Sequence, residues 1–375
     1  MNTMRILFLI NNLSDGGAER VLVSLANDLA RKGHEITVRA LSDSGENRKL
    51  LSSQVCYEYV YKNRFRGENY LHFLPKRCIY QKVAHGSFDV IVVYLHGVLT
   101  KIVSYAPKEQ KTIAYLHANM EKSPFIKSMR NQNTIQKYFR NYSRIVAVSE
   151  DVKDSFIRVS GIDDGRVVVK YNTFDVEGIR RKAKEEMESR FRKRAAFSLC
   201  SVGKLVEVKG YMRLLSVVNR LLQNGFDIQL TIVGEGMQRT ELEQYIEQNN
   251  LQEHVCLAGF DVNPYKYIAQ SNLFVCSSFS EGFSSVVAES LMLGVPVITT
   301  DCAGMREMLG ERNEYGVIVK NDEDSLYAGI ADLLSSPEKM AYYRDMAVER
   351  SDFFEPKQTV GAVEEMLKEV VECRS

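Results

Sequence analysis

The chain has 375 residues, 45% hydrophobic and 26% charged, with a formal net charge of +1. The length exceeds an ordinary single domain and points to two, and the composition is that of a soluble globular protein. The longest N-terminal apolar run, Ile6–Ile10, stops at Asn11 and Asn12, too early for a signal-peptide core or a membrane span. Seven cysteines, an odd number without paired metal spacing, read as reduced thiols in a cytoplasmic protein.

In chain order, short apolar runs alternate with helical patterns. The first series predicts strands at Arg5–Ile10, Glu35–Ala40, Val90–Tyr94, Thr112–His117, Arg144–Val148 and Val167–Tyr171, with a helix at Ala18–Lys32 after the first. A charged stretch between Asn172 and Phe197 carries no strand pattern and marks the join. The second series predicts strands at Ser198–Val202, Ile228–Val233, Val255–Ala258, Leu273–Ser277, Val295–Thr299 and Gly316–Val319. Helices at Tyr211–Asn224, Met237–Asn249 and Ser285–Leu293 lie between them. The tail reads as two helices broken at Pro356. Strand–helix alternation predicts parallel sheets covered on both faces. Two series of six strands favour two doubly wound domains over one closed barrel.

Charge divides the same way. Residues 1–170 carry 26 Lys and Arg against 16 Asp and Glu, and the remainder 23 against 32. Residues 61–140 hold 14 against 4, with aromatics mixed in: Tyr61, Phe65, Tyr70, Phe73, Tyr80, Phe125, Tyr138 and Phe139. Halves this different expect different partners.

The polar residues that interrupt the pattern sit at strand ends, where parallel sheets bind ligands. "NNLSDGGAER" offers Asn12, Gly16 and Gly17 at a helix start, as a plain turn or as a close backbone approach to a phosphate or sugar. "SVGKLVEVKGY" offers Lys204 and Lys209, either solvated or set to neutralise a diphosphate. "TIVGEGMQ" lacks the third glycine of a dinucleotide fingerprint. "FSEGFSSVVAESLMLGVPV" puts Glu281 in a loop and Glu289 on the following helix, with Ser284 or Ser285 as cap. Carboxylates there read as caps on the helix end, or as hydroxyl ligands beside an anion held by its N–H groups. His117 and His96 end strand patterns; His96 could line the same site. "DED" at Asp322–Asp324 superficially fits a D-x-D metal motif, but helix capping explains it better.

The E-x7-E spacing in "EGFSSVVAESLMLGVPVITTDCAGMREML" resembles the retaining GT-B glycosyltransferases of family 4, the group 1 glycosyltransferases. "NLSDGGAERVLVSLANDLARKGHEITV", "VAVSEDVKD", "VVVKYNTFD", "VGKLVEVKG", "TIVGEGMQRTELE", "VCLAGF" and "YGVIV" are similar to that family's landmarks in order, over nearly the whole chain. The resemblance implies two Rossmann-like domains with parallel sheets facing across a cleft. An N-terminal acceptor domain of residues 1–172 with a returning C-terminal helix, 357–375, would join a donor domain of 173–356. It implies catalytic roles for Glu281, His117 and Lys209, and donor binding by Gly17, Lys204, Lys209, Gly282, Phe283, Ser284, Ser285 and Glu289. Gly16 and Asn12 would line the acceptor side. Lys204 departs from the family, where arginine is usual. No metal and no cofactor are implied, because lysines and a helix end neutralise the diphosphate.

The implied activity moves a sugar from a nucleotide diphosphate sugar, UDP-sugar first among them, to an acceptor hydroxyl with retention. The acceptor would be a saccharide or lipid-linked saccharide of bacterial surface polysaccharide synthesis. Alternatives are a nucleotide-sugar 2-epimerase of the same architecture and a non-catalytic partner subunit; that no G-x-G-x-x-G follows a strand argues against a nicotinamide dehydrogenase. The basic aromatic region predicts docking on an anionic membrane surface, on the inner face of the cell membrane, rather than nucleic-acid binding.

Overall fold

The structure, a computed structural model, describes residues 3–14, 16–63, 67–188 and 195–373. The chain forms two compact units, Met1–Phe174 with Glu355–Ser375, and Asp175–Phe354.

The first unit holds strands β1 (Arg5–Ile10), β2 (Glu35–Ser42), β3 (Val55–Tyr61), β4 (Val90–Val93), β5 (Lys111–Leu116), β6 (Arg144–Ala147) and β7 (Val167–Val169). They form one sheet in the order β3-β2-β1-β4-β5-β6-β7, with every pair parallel. The apolar runs of β1, β4 and β5 are buried on both faces, as a covered parallel sheet requires. β3 is a strand beyond the six predicted. It is an edge strand whose "VCYEYVY" mixes polar and aromatic residues and is only half covered, so it lacks the continuous apolar run that marks its neighbours.

The second unit holds β8 (Phe197–Val202), β9 (Ile228–Val233), β10 (Val255–Gly259), β11 (Leu273–Cys276), β12 (Val297–Thr300) and β13 (Val317–Val319). Their order is β10-β9-β8-β11-β12-β13, again parallel throughout. Leu199, Leu230, Ile232, Val275 and Ile298 from the strands pack against Leu214, Val218, Leu242, Leu326 and Ile330 from covering helices.

Both sheets reverse strand order at one place, between β1 and β4 and between β8 and β11. At such a switch point the connections leave in opposite directions and open a crevice at the strand ends.

The tail forms helices at Pro337–Ser351 and Pro356–Glu372, with Pro356 at the first turn of the second, where its missing N–H costs nothing. That last helix belongs to the first unit. Lys32 Nζ donates to Glu364 at 2.6 Å, and His34 Nε2 lies 3.4 Å from the same carboxylate.

Candidate active site

The second switch point brings together the loop after β8 and the loop after β11. Lys209 Nζ donates to Glu281 Oε1 at 2.6 Å, and Ser278 Oγ donates to the same oxygen at 2.6 Å. The Lys209 side chain is 24% exposed and that of Glu281 11%. Burial works against the Lys209 charge, but the Glu281 carboxylate outweighs it and holds the ammonium pKa above its ordinary value. The result is a largely desolvated ion pair with one face open. Glu281 is thus engaged by Lys209 from the loop after β8 and by Ser278 of its own loop, rather than by the following helix. Lys204 lies exposed earlier in the loop after β8.

The turn that carries Glu281 is held from several sides. Ser277 Oγ donates to the Lys209 carbonyl at 2.9 Å, and the Phe279 amide to the Val208 carbonyl at 2.8 Å. Arg213 donates to the Ser277 carbonyl and, at 2.9 Å, to Asn321 Oδ1; its guanidinium lies 4.2 Å from the Phe279 ring centroid. Asn321 Nδ2 in turn reaches the Phe279 carbonyl at 3.2 Å, and Thr300 Oγ1 the Ser278 carbonyl at 2.6 Å. Gly210 has φ +67°, and a Cβ there would stand 2.2 Å from the Ser277 carbonyl oxygen, so this close approach needs glycine. Ser278, Arg213 and Asn321 are absent from the sequence reading. One signal existed for Arg213: a charged residue on the apolar face of its helix, among Tyr211, Leu214 and Leu215.

Beyond the turn, Ser284 takes the N-cap position of the helix Ser285–Met292, but its hydroxyl makes no cap hydrogen bond and is buried without a partner. The predicted serine cap is thus present in position only. Gly282 and Phe283 are buried in front of it, Phe283 edge-on to Phe354 at 6.4 Å. Glu289, 4% exposed, accepts from the Tyr265 hydroxyl at 3.4 Å. A helix start leaves its first backbone N–H groups without intrahelical partners, and here the buried Ser284 hydroxyl adds a polar atom without one.

In the first unit, Asn12 Oδ1 accepts from the Ser14 amide at 3.0 Å and so shapes the turn after β1. Gly16 has φ −81°, which any residue adopts; the turn does not require glycine there, and a Cβ would meet the flexible Glu19 carboxylate. Gly17 opens the helix Gly17–Arg31 and is exposed. His117 follows β5 with its Nε2 buried and without a partner. Burial, with the neighbouring His96 ring, pushes the His117 pKa down to about 3.

Asp322 Oδ1 accepts from the Ser325 amide at 2.7 Å, so "DED" is a helix cap. Among the described residues no group of three or more His, Cys, Asp or Glu could hold a metal ion. Of the basic aromatic region, Arg64, Phe65 and Arg66 lie outside the described residues. Phe139 is fully buried against Tyr142 and Phe156, a core residue rather than a surface aromatic. Tyr70 and Phe73 are 68% and 75% exposed, with Leu74, Lys76 and Arg77 exposed beside them. No helix of the described residues is long and apolar enough to cross a membrane.

Two Rossmann-like parallel sheets, each with a switch point and one with a lysine–carboxylate pair, define the GT-B class of fold. Residues 183–350 match the family described as "Glycosyl transferases group 1" and residues 15–177 match "Glycosyltransferase Family 4". The chain belongs to the group 1 glycosyltransferases. It is similar to N-acetylgalactosamine-N,N'-diacetylbacillosaminyl-diphospho-undecaprenol 4-alpha-N-acetylgalactosaminyltransferase of Campylobacter jejuni, 32% identical over 61% of this chain and 60% of that one. It is also similar to the lipopolysaccharide core biosynthesis glycosyltransferase LpsD of Rhizobium meliloti, 24% identical over 86% of each. The chain spans less than two thirds of the Campylobacter relative, and 44% of an uncharacterized Methanocaldococcus jannaschii glycosyltransferase to which it is 32% identical. Anabaena HepE, crystallised in complex with UDP, has the same fold: TM-score 0.77, 20% identity, 97% of this chain and all of that one covered.

Proposed function

We propose that the chain is a retaining, metal-independent glycosyltransferase that moves a sugar from a UDP-sugar to an acceptor hydroxyl. The observation that carries the reading is the second switch point. There Glu281, an unpartnered Ser284 hydroxyl at a helix start and a buried Glu289 stand on one loop–helix unit, and Lys209 reaches Glu281 from the loop after β8. In this reading Lys209, Lys204 and the N–H groups of Ser284 and Ser285 neutralise the diphosphate, with Gly282 and Phe283 shaping the turn before them. Glu289 takes the ribose hydroxyls and Glu281 the hydroxyls of the transferred sugar, while His117 and Gly17 keep the catalytic and donor-binding roles that the family resemblance implies. Asn12 and Gly16 serve the acceptor.

The bond from the anomeric carbon to the phosphate oxygen breaks first, and the acceptor oxygen bonds the same face. The acceptor proton passes to the departing phosphate oxygen. Charge grows on that phosphate, where Lys209 and the helix start are already oriented. No cofactor takes part; the nucleotide sugar is a substrate.

The relatives support an acceptor class. One is named for transfer onto a diphospho-undecaprenol-linked saccharide and another for lipopolysaccharide core synthesis. We place this chain on a lipid-linked saccharide of bacterial surface polysaccharide synthesis, held peripherally on the cytoplasmic leaflet. The exposed Tyr70, Phe73 and Leu74 beside Lys76 and Arg77 suit an anionic lipid surface, each basic group near it contributing about 1 kcal/mol.

The test is incubation of the purified protein with radiolabelled UDP-sugars and a bacterial lipid extract, with and without EDTA. Label should move to the lipid fraction in both, and NMR of the product should show the donor's anomeric configuration. Strict magnesium dependence, inversion, or epimerised sugar without transfer contradicts the reading.

A further inference from the structure

The backbone leaves the ladder between β11 and β12 at Cys276, and side chains take the next three carbonyls instead. Arg213 Nη2 donates to the Ser277 carbonyl. Thr300 Oγ1 reaches the Ser278 carbonyl at 2.6 Å and Asn321 Nδ2 reaches it at 3.4 Å. Asn321 Nδ2 also lies 3.2 Å from the Phe279 carbonyl. The same three residues engage both members of the Lys209–Glu281 pair. Ser277 Oγ holds the Lys209 carbonyl at 2.9 Å, the Phe279 amide holds the Val208 carbonyl at 2.8 Å, and Ser278 Oγ holds Glu281 at 2.6 Å. Arg213 stands where these segments cross. It follows Lys209 by four positions, on the first turn of the helix Tyr211–Gln223, and a Cβ on Gly210 would lie 3.4 Å from its Nη2.

Stability alone does not account for a charge at this place. Arg213 is 8% exposed, on a helix face it shares with the buried Tyr211, Leu214 and Leu215. Its hydrogen bonds go to neutral oxygens, and its Nε–H is buried without a partner. An apolar side chain of similar volume would avoid that desolvation. The guanidinium supplies a fork that no apolar side chain has. One arm holds the Ser277 carbonyl and the other donates to Asn321 Oδ1 at 2.9 Å. Because a guanidinium only donates, it takes the oxygen of the Asn321 amide and so aims the NH2 group at the turn carbonyls. The Phe279 ring lies against the same guanidinium, 4.2 Å from centroid to carbon. Removing the fork releases the Ser277 carbonyl, the Phe279 ring and the orientation of the Asn321 amide together.

We propose that Arg213 is a positioning residue of the transfer reaction: its fork, acting through Asn321 and the Ser277–Phe279 turn, sets Glu281 against Lys209. The proposal rests on the glycosyltransferase reading for the role of Glu281, but its first test needs no activity. The full chain, labelled at the lysine side chains, is titrated by NMR, with Lys209→Met assigning the Lys209 signal. In Arg213→Met and in Asn321→Ala, the Lys209 ammonium should titrate about one pH unit lower than in the unaltered chain, because burial then acts with a more distant carboxylate. Arg213→Lys keeps the charge without the fork and should leave most of that shift in place. In transfer assays kcat should fall ~10- to 100-fold in Arg213→Met, as a small misplacement of a reacting group predicts, while UDP binds at least as tightly as before. The double variant Arg213→Met/Asn321→Ala should lose little beyond the larger single loss, since both act through one turn. Failure of the unaltered chain to bind UDP counts against the glycosyltransferase reading and leaves the Lys209 titration standing. An unshifted Lys209 in the folded Arg213→Met or Asn321→Ala protein, or full recovery by Arg213→Lys, overturns the proposal. Should Arg213→Met not fold, Asn321→Ala and Arg213→Lys decide it by the same titration.

Discussion

Lys209 and Glu281 neutralise each other in the free protein, at 2.6 Å and largely out of water. If Lys209 serves a diphosphate, the phosphate competes with Glu281 for the same ammonium, so variants on the two sides of the pair should move UDP affinity in opposite directions. Lys209→Met removes a charge-assisted hydrogen bond worth ~1.5 to 3 kcal/mol and should weaken UDP ~10- to 150-fold. Glu281→Gln keeps an oxygen for the Ser278 hydroxyl and removes only the competing charge; UDP should bind about 3- to 10-fold tighter. Sugar transfer should fall sharply in both. Urea unfolding adds a second readout. Lys209→Met strands a carboxylate that is 11% exposed and should cost about 1 to 3 kcal/mol, while the double variant recovers part of that loss. Calorimetric titration with UDP decides the matter. Equal weakening of UDP by both variants, or unchanged UDP binding in Lys209→Met, would refute the competition.

Gly210→Ala forces a Cβ to 2.2 Å from the Ser277 carbonyl at φ +67°, and should cost about 1 to 3 kcal/mol in urea unfolding together with most of the transfer activity. Burial would raise the Glu364 pKa, but Lys32 and Lys368 win and hold it at about 2. That stability is present above the unfolded carboxyl value and is lost as pH falls from ~4.5 through about 2. Glu364→Gln should lose about 1 to 2 kcal/mol at pH 7, with the difference closing in acid melts. His117, depressed to about 3, stays neutral in the fold while the unfolded chain takes up a proton below ~6.5. Stability should therefore fall as pH drops below that value, and His117→Gln should flatten the slope. Phe73→Ser with charge reversal at Lys76 and Arg77 should reduce co-sedimentation with anionic vesicles at low salt; binding that ignores lipid charge contradicts the docking surface.

The parallel architecture was legible because buried strands are written as unbroken apolar runs: Ile6–Ile10, Val90–Val93 and Leu273–Cys276 have no polar break to mislead a periodicity argument. β3 escaped for the converse reason. An edge strand has one partner and one covered side, so selection for apolar residues is relaxed, and "VCYEYVY" alternates too loosely to stand apart from a loop.

At the candidate site, the residues legible in sequence are those whose spacing along the chain is short, Glu281 to Glu289 above all. Those missed act across long separations. Arg213 and Asn321 meet 108 positions apart, and both brace the turn before Glu281. Nothing local distinguishes Asn321 from any loop asparagine. The same limit explains the first unit. His96 and His117 each end a strand pattern and were legible singly, but neither the sequence nor the spacing tells that β4 and β5 are neighbours, or that Asn11 arrives from β1 beside them. Strand order at the switch point supplies that information. It brings Asn11 Oδ1, His96 Nδ1 and His117 Nε2, each buried and without a partner, to the same end of one sheet.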